Sequence, residues 1–199
     1  MRITKALFIL LGIIVVFSTS CEKDSNDGEF TSFTDTRDGR TYKCVEINGV
    51  TWMAENFSYQ PPAKSSDDVI DYSKGDISFK LYRWSIISSI IPEGWHLPSE
   101  SEYDELIQYL GGYDVAGNKM KAIGVWEGTE NGNNESGFSA LPGCNKEDPT
   151  GFLYTFFWTS TEVNETMAKK LSIAYGIPNV AIYEEYKEDF LCVRLIKND

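Results

Sequence analysis

The tightest constraint in this sequence is the pair Asn48-Gly49, set between the strand-like runs YKCVEI (42–47) and VTWMA (50–54). A two-residue type I′ turn needs positive φ at both central positions, and Asn-Gly is the pair that tolerates it best. Such a turn locks its two strands antiparallel and fixes their register, so the rest of the chain must build around a hairpin at 42–54. A second fixed point lies at Pro98-Ser99-Glu100-Ser101-Glu102. Ser99 is placed to cap a helix, and Glu102 three residues on completes a capping box. Tyr103, Leu106, Ile107 and Leu110 then recur at helical spacing, and Gly111-Gly112 ends the run.

Between these points, 59–75 reads as a polar loop with a Pro pair, and 81–91 as either a helix or a buried strand. A shorter helix is expected over 115–123, followed by a Gly- and Asn-rich surface loop at 124–137. The C-terminal part reads as strands at 138–141, 152–160, 170–175, 180–183 and 190–196. In the last, Leu191, Val193 and Leu195 point one way and Cys192 and Arg194 the other. Strands around two central helices make the expected class α+β, with antiparallel sheets.

The first two dozen residues are organised differently. Arg2 and Lys5 precede an uncharged apolar run from Ala6 to Phe17, and Ser18, Thr19 and Ser20 lead into Cys21. The run is shorter than the roughly 20 residues a membrane-spanning helix requires. Basic, apolar, small, then cysteine is the order of a secretory signal (1–20) ending at a thiol that can take lipid. It resembles a bacterial lipoprotein box, with Ser18 where leucine is usual. Cys21 is thus the expected lipidation site, the protein being anchored to a membrane without crossing it. The acidic, polar stretch EKDSNDGEFTS reads as part of a flexible tether over 21–32, with the folded body from 33.

Removal of 1–20 takes away two of 18 basic side chains and none of the 30 acidic ones, moving the formal charge from −12 to −14. Nucleic acid and anionic lipid select basic patches, so neither is an expected partner. Four cysteines (21, 44, 144 and 192), no C-x-x-C and a single histidine, His96, give no zinc-type spacing. With Cys21 acylated, three thiols remain in an oxidising compartment, so at most one disulfide forms.

Several phrases, read in order, resemble one bacterial family: DTRDGRTYKCVEINGVTWMAENF (35–57), LYRW (81–84), EGWHLPSESEYDEL (93–106), ESGFSALPG (135–143), FWTSTE (157–162) and CVRLIKN (192–198). Together they strongly resemble the Fibrobacter succinogenes major paralogous domain, common on lipoproteins of the Bacteroidetes and Fibrobacter groups. The likeness covers 33–199. The family is in turn distantly similar to formylglycine-generating enzymes and C-type lectins, which implies a C-type-lectin-like α+β domain with terminal strands side by side. Many members carry cysteines where this chain has Ile91 and Leu195. With those absent, lectin-like pairing of the first and last strands implies a Cys44–Cys192 bridge. The alternative is three buried free thiols. Glu22 and Asp24 after Cys21 resemble the signal that sends such lipoproteins outward. The expected place is the outer membrane, at the cell surface or on the periplasmic face.

Among candidate sites, an oxidase of the formylglycine-generating type is rejected, since Cys144 and Cys192 each stand alone. A hydrolase would draw on Glu100, Glu102, Asp104 and Glu105, but acids in a first helical turn are explained by the helix dipole. Ser99 is explained as a cap, His96 as a structural residue, and there is no G-x-S-x-G. Catalysis is therefore not expected. The loop at 124–137 offers Trp126 beside Glu130, Asn131, Asn133, Asn134 and Glu135, an aromatic face among amides and carboxylates of the kind a sugar ring wants. Calcium is the one ion those oxygens could hold, although no D-x-D loop, E-P-N or W-N-D triplet occurs. No other cofactor is expected. Trp52, Trp84, Trp95 and Trp158 read as core. The expected function is recognition of a surface glycan or envelope protein. The alternatives are a structural envelope or fimbrial component and a polysaccharide hydrolase.

Overall fold

The computed structural model describes residues 30–62, 67–127, 132–143 and 153–198. Its elements are mixed, mostly antiparallel strands with few helices, arranged as three sheets. The first holds β1 (Thr31–Thr34), β2 (Thr41–Ile47), β3 (Val50–Met53), β10 (Ile196–Lys197) and β6 (Trp95–His96), in that spatial order. Asn48 and Gly49 take φ of 52° and 77°, so the turn is the one the sequence predicts, and Ile47 pairs with Val50. Thr31 and Ser32, assigned to the tether by composition, are already hydrogen-bonded into this sheet against Cys44 and Lys43.

The second sheet is a hairpin of β4 (Val69–Lys74) and β5 (Ile77–Tyr82). Its first strand lies inside the stretch expected to be a loop. Gly75, at φ 57°, makes the reversal, and Val69 and Phe79 supply enough burial to hold a strand that is otherwise polar. β5 runs directly into α1 (Trp84–Ile90), so the ambiguous segment contains both structures. The third sheet orders β7 (Tyr154–Glu162), β8 (Met167–Ala174) and β9 (Val180–Tyr186).

α2 (Glu100–Tyr109) begins at Ser99 with the full capping box in place. Tyr103, Leu106, Ile107 and Leu110 are its buried positions. Gly111 and Gly112, at φ 105° and 97°, stop it. α3 (Ala116–Met120) is shorter than expected because Lys121 leaves helical geometry to make a bridge with Ala140. The predicted strand at 138–141 is reduced to that single bridge.

Two apolar clusters form on opposite faces of the β2–β3 hairpin, as a period of two requires. Val45, Ile47 and Trp52 join α2, Phe157, Leu171 and Cys192 in one cluster. Tyr42, Cys44 and Met53 join α1, Trp158, Leu191, Val193 and Leu195 in the other. The alternation read for 190–196 is therefore real. The Cys44–Cys192 bridge is not made. Cys44 is a free thiol in the second cluster, whereas Cys192 is disulfide-bonded. The C-terminal strand β10 pairs with β3 at Trp52, not with the strand carrying Cys44. The two sulfurs lie in different apolar clusters, and Cys44 stays outside the Cys192 bond.

Candidate functional site

The loop proposed from sequence does not present an aromatic face to solvent. Trp126 is only 4% exposed, and its indole N–H donates to the Ala140 carbonyl at 3.0 Å. Burying the ring removes about 150–250 Å2 from water, and the one polar atom finds an acceptor on the way. Asn134 adopts φ 49° and closes a local turn: its amide oxygen accepts from the Ser139 backbone N–H and its amide nitrogen donates to the Ser139 hydroxyl. The Asn133 side-chain oxygen accepts from the Glu135 N–H, and Glu135 pairs with Lys119 at 3.1 Å. These groups are engaged with one another and with α3, so Trp126, Asn133, Asn134 and Glu135 do not form one solvent-facing site. Glu130 and Asn131 lie outside the described residues, as do Cys21 and Cys144. Among the described residues no group of three or more His, Cys, Asp or Glu side chains is placed to hold a metal ion. No described helix is long and apolar enough to cross a membrane.

The acidic cluster of α2 is likewise committed. One Glu102 oxygen accepts from the backbone N–H and hydroxyl of Ser99, and the other bonds His96 Nε2 at 2.8 Å. Partial burial disfavours its charge, but the Ser99 N–H, His96 and the Ser99 hydroxyl outweigh that and hold the carboxyl below the usual range. The other imidazole nitrogen, Nδ1, bonds the Asn198 side chain at 2.6 Å. Both nitrogens of the chain's one histidine thus tie β6 to α2 and to the C-terminal segment. Neither points freely at a substrate position.

His96 also forms part of the wall between two cavities. A small one of about 170 Å3 lies between the hairpin tip, α2 and β10, with Trp52, Glu105 and Lys197 on its sides. The larger, about 340 Å3, is bounded by Trp84, Ile87, Ile91 and Leu97, with Ser88, His96 and Ser160 supplying polar atoms. An apolar wall with a few convergent polar groups is the usual form of a small-ligand site, and this volume is at the low end for one. Trp84 is half-buried here. Its indole N–H is fixed on the Thr159 carbonyl at 2.8 Å, and Lys187 Nζ stands 4.5 Å from the ring centre.

The expected core position holds for Trp52, Trp95 and Trp158, whereas Trp84 is only half-buried. Nothing in helical or strand periodicity marks Trp84 as a pocket residue, because it stands at the junction of β5 and α1. Arg194 was missed as well. It is fully buried and donates to Asn56 Oδ1, Met53 O, Phe138 O and Ser139 O, between the rings of Phe138 and Phe157. Its place on the Cys192 side of an alternating strand was the available signal.

No curated protein and no solved structure matches the chain at a significant level. A family match does exist, over residues 45–197, from the hairpin to β10. It takes in α2, both cavities and Arg194. The chain therefore belongs to the Fibrobacter succinogenes major domain family.

Proposed function

We propose that the protein is a cell-envelope lipoprotein, acylated at Cys21 in the outer membrane. Its body is a non-catalytic recognition domain for a surface glycan or a protein partner. The observation that carries the recognition reading is the cavity of Trp84, Ile87, Ile91 and Leu97 beside His96, Ser88 and Ser160. It combines an aromatic and aliphatic wall with hydroxyls, which suits a group with both C–H faces and polar edges. Its one ionisable group, His96, is held on both ring nitrogens, which favours binding over acid–base chemistry.

Ser88 is exposed on α1 and borders the cavity, so Ser88→Trp fills it from outside without touching the core. Saturation-transfer NMR against a panel of monosaccharides and short peptides should give signal transfer to at least one class, abolished in Ser88→Trp. Absence of transfer from every class, or transfer unchanged in the filled variant, refutes the pocket reading. Turnover of a polysaccharide by the purified protein would refute the non-catalytic part. Labelled palmitate that never attaches to the wild type, or attaches equally to Cys21→Ala, would refute the anchor.

A further inference from the structure

The Trp84 cavity divides its chemistry by depth. Ile87 and Leu97 are buried, Trp84 and Ile91 are half-buried, and together they make a hydrocarbon inner wall. The hydroxyls come from Ser88 on α1 and Ser160 on β7, both exposed, so they lie at the outer margin. The other polar groups in reach are already bonded. His96 holds Glu102 through Nε2 and Asn198 through Nδ1. The Trp84 N–H donates to the Thr159 carbonyl, so the indole gives the cavity carbon surface and no donor. The Lys187 ammonium, 4.5 Å from that ring's centre, donates to the Glu162 carboxylate and to the Asn164 and Glu165 carbonyls. Among the described residues, the wall thus presents two hydroxyls and no free charge.

Those groups decide between ligand classes. A pyranose carries hydroxyls around its whole edge, and inside this wall those beyond the reach of two serines lose water without gaining a partner. An anion meets no free cation here and is repelled by a chain carrying −12. An ammonium meets no free carboxylate in the wall. A hydrocarbon ring or branched chain meets carbon on every inner side. Size agrees: an aliphatic cavity of about 150 Å3 takes up benzene, and this one is about 340 Å3, so a substituted ring fits.

Given the cavity as the recognition site proposed above, we infer the class of ligand it takes: a compact uncharged group, largely hydrocarbon, with one or two polar atoms at one end. The hydrocarbon part fills the wall of Trp84, Ile87, Ile91 and Leu97, and the polar end meets Ser88 and Ser160 at the margin. A phenol or a branched alcohol has this chemistry, and a sugar ring does not. It is found both on free small molecules and on a tyrosine side chain of a protein partner.

The test is an NMR titration of the purified full-length chain with a matched set of probes. The neutral probes are 4-methylphenol and 3-methylbutan-1-ol. At neutral pH, 4-hydroxybenzoate and tyramine put an anion or a cation on the same phenol, and methyl β-glucopyranoside is the sugar. At least one neutral probe should bind about tenfold or more tighter than either charged analogue and than the glucoside. Ser88→Trp, which fills the cavity, should abolish that binding. Ser88→Ala/Ser160→Ala, at two exposed positions where folding survives, should weaken 4-methylphenol by about threefold or more. A capped Gly-Tyr-Gly peptide separates the sources: tighter binding than 4-methylphenol assigns the group to a protein partner, weaker binding to a free small molecule, and either order supports the class. A charged analogue that equals the neutral probes overturns the inference, as does neutral-probe binding unchanged in Ser88→Trp. Glucoside binding that Ser88→Trp abolishes, with no neutral probe bound, leaves the cavity a recognition site and overturns only the ligand class. Absence of binding by every probe overturns both.

Discussion

Arg194 gives the sharpest test of how this fold is held together. Its guanidinium is fully buried, yet its acceptors among the described residues are neutral: Asn56 Oδ1 and three backbone carbonyls from β3 and the 138–139 segment. Burial pushes its pKa down to about 9. Two terms compete on substitution. Removing the charge relieves a desolvation cost of several kcal/mol, while each orphaned buried acceptor costs about 1–3 kcal/mol. Arg194→Met removes both charge and donors, so the terms partly cancel and a net loss of about 2–3 kcal/mol is expected. Arg194→Lys keeps a buried charge, but a single ammonium cannot reach acceptors spread over three segments. The planar fork is lost, and about 4–5 kcal/mol should go with it. The formally conservative change should therefore be the worse one. Urea denaturation followed by tryptophan fluorescence measures both, with the slope checked for constancy. If Arg194→Lys lies within about 1 kcal/mol of wild type, or above Arg194→Met, then the guanidinium fan is not what joins these segments.

Three further outcomes are expected. The Tyr103 hydroxyl is buried with no hydrogen-bond partner among the described residues, so Tyr103→Phe should raise stability by about 1 kcal/mol in the same urea titration. Glu102 has a lowered folded pKa, so its contribution is complete above the ordinary carboxylate value and is lost as pH falls through the folded one. Stability of wild type minus Glu102→Gln, measured across that acid range, should shrink on acidification and be flat near neutrality. Burial raises the Cys44 thiol to about 11, so iodoacetamide at mild alkaline pH should leave it unmodified in the native protein and label it in urea. Peptide mass spectrometry reads this directly, and native labelling would contradict the buried placement.

The parts of the fold legible in the sequence are those where a backbone requirement and a side-chain pattern coincide. Asn48-Gly49 needs positive φ and lies between alternating strands. Ser99 and Glu102 cap a helix whose apolar face repeats at 3.6. Where only composition was available, the reading failed in both directions. The 69–74 strand is polar because one of its faces is exposed and its partner β5 supplies most of the burial, so its own residues do not announce it. Within 124–137, Gly124, Asn134 and Gly137 take positive φ, which accounts for those residue types and says nothing about where one indole among them goes. A buried tryptophan releases far more apolar area from water than the surrounding amides gain by keeping it exposed, provided its N–H is met, and Ala140 meets it. The Trp84 cavity was hidden for a related reason. It arises from a junction that brings Trp84 beside Ser160 across a separation no local pattern encodes. A polar loop is thus weak grounds for a sugar site. Aromatic side chains that stay partly exposed after a sheet has found its core are stronger, because packing had the chance to bury them and did not.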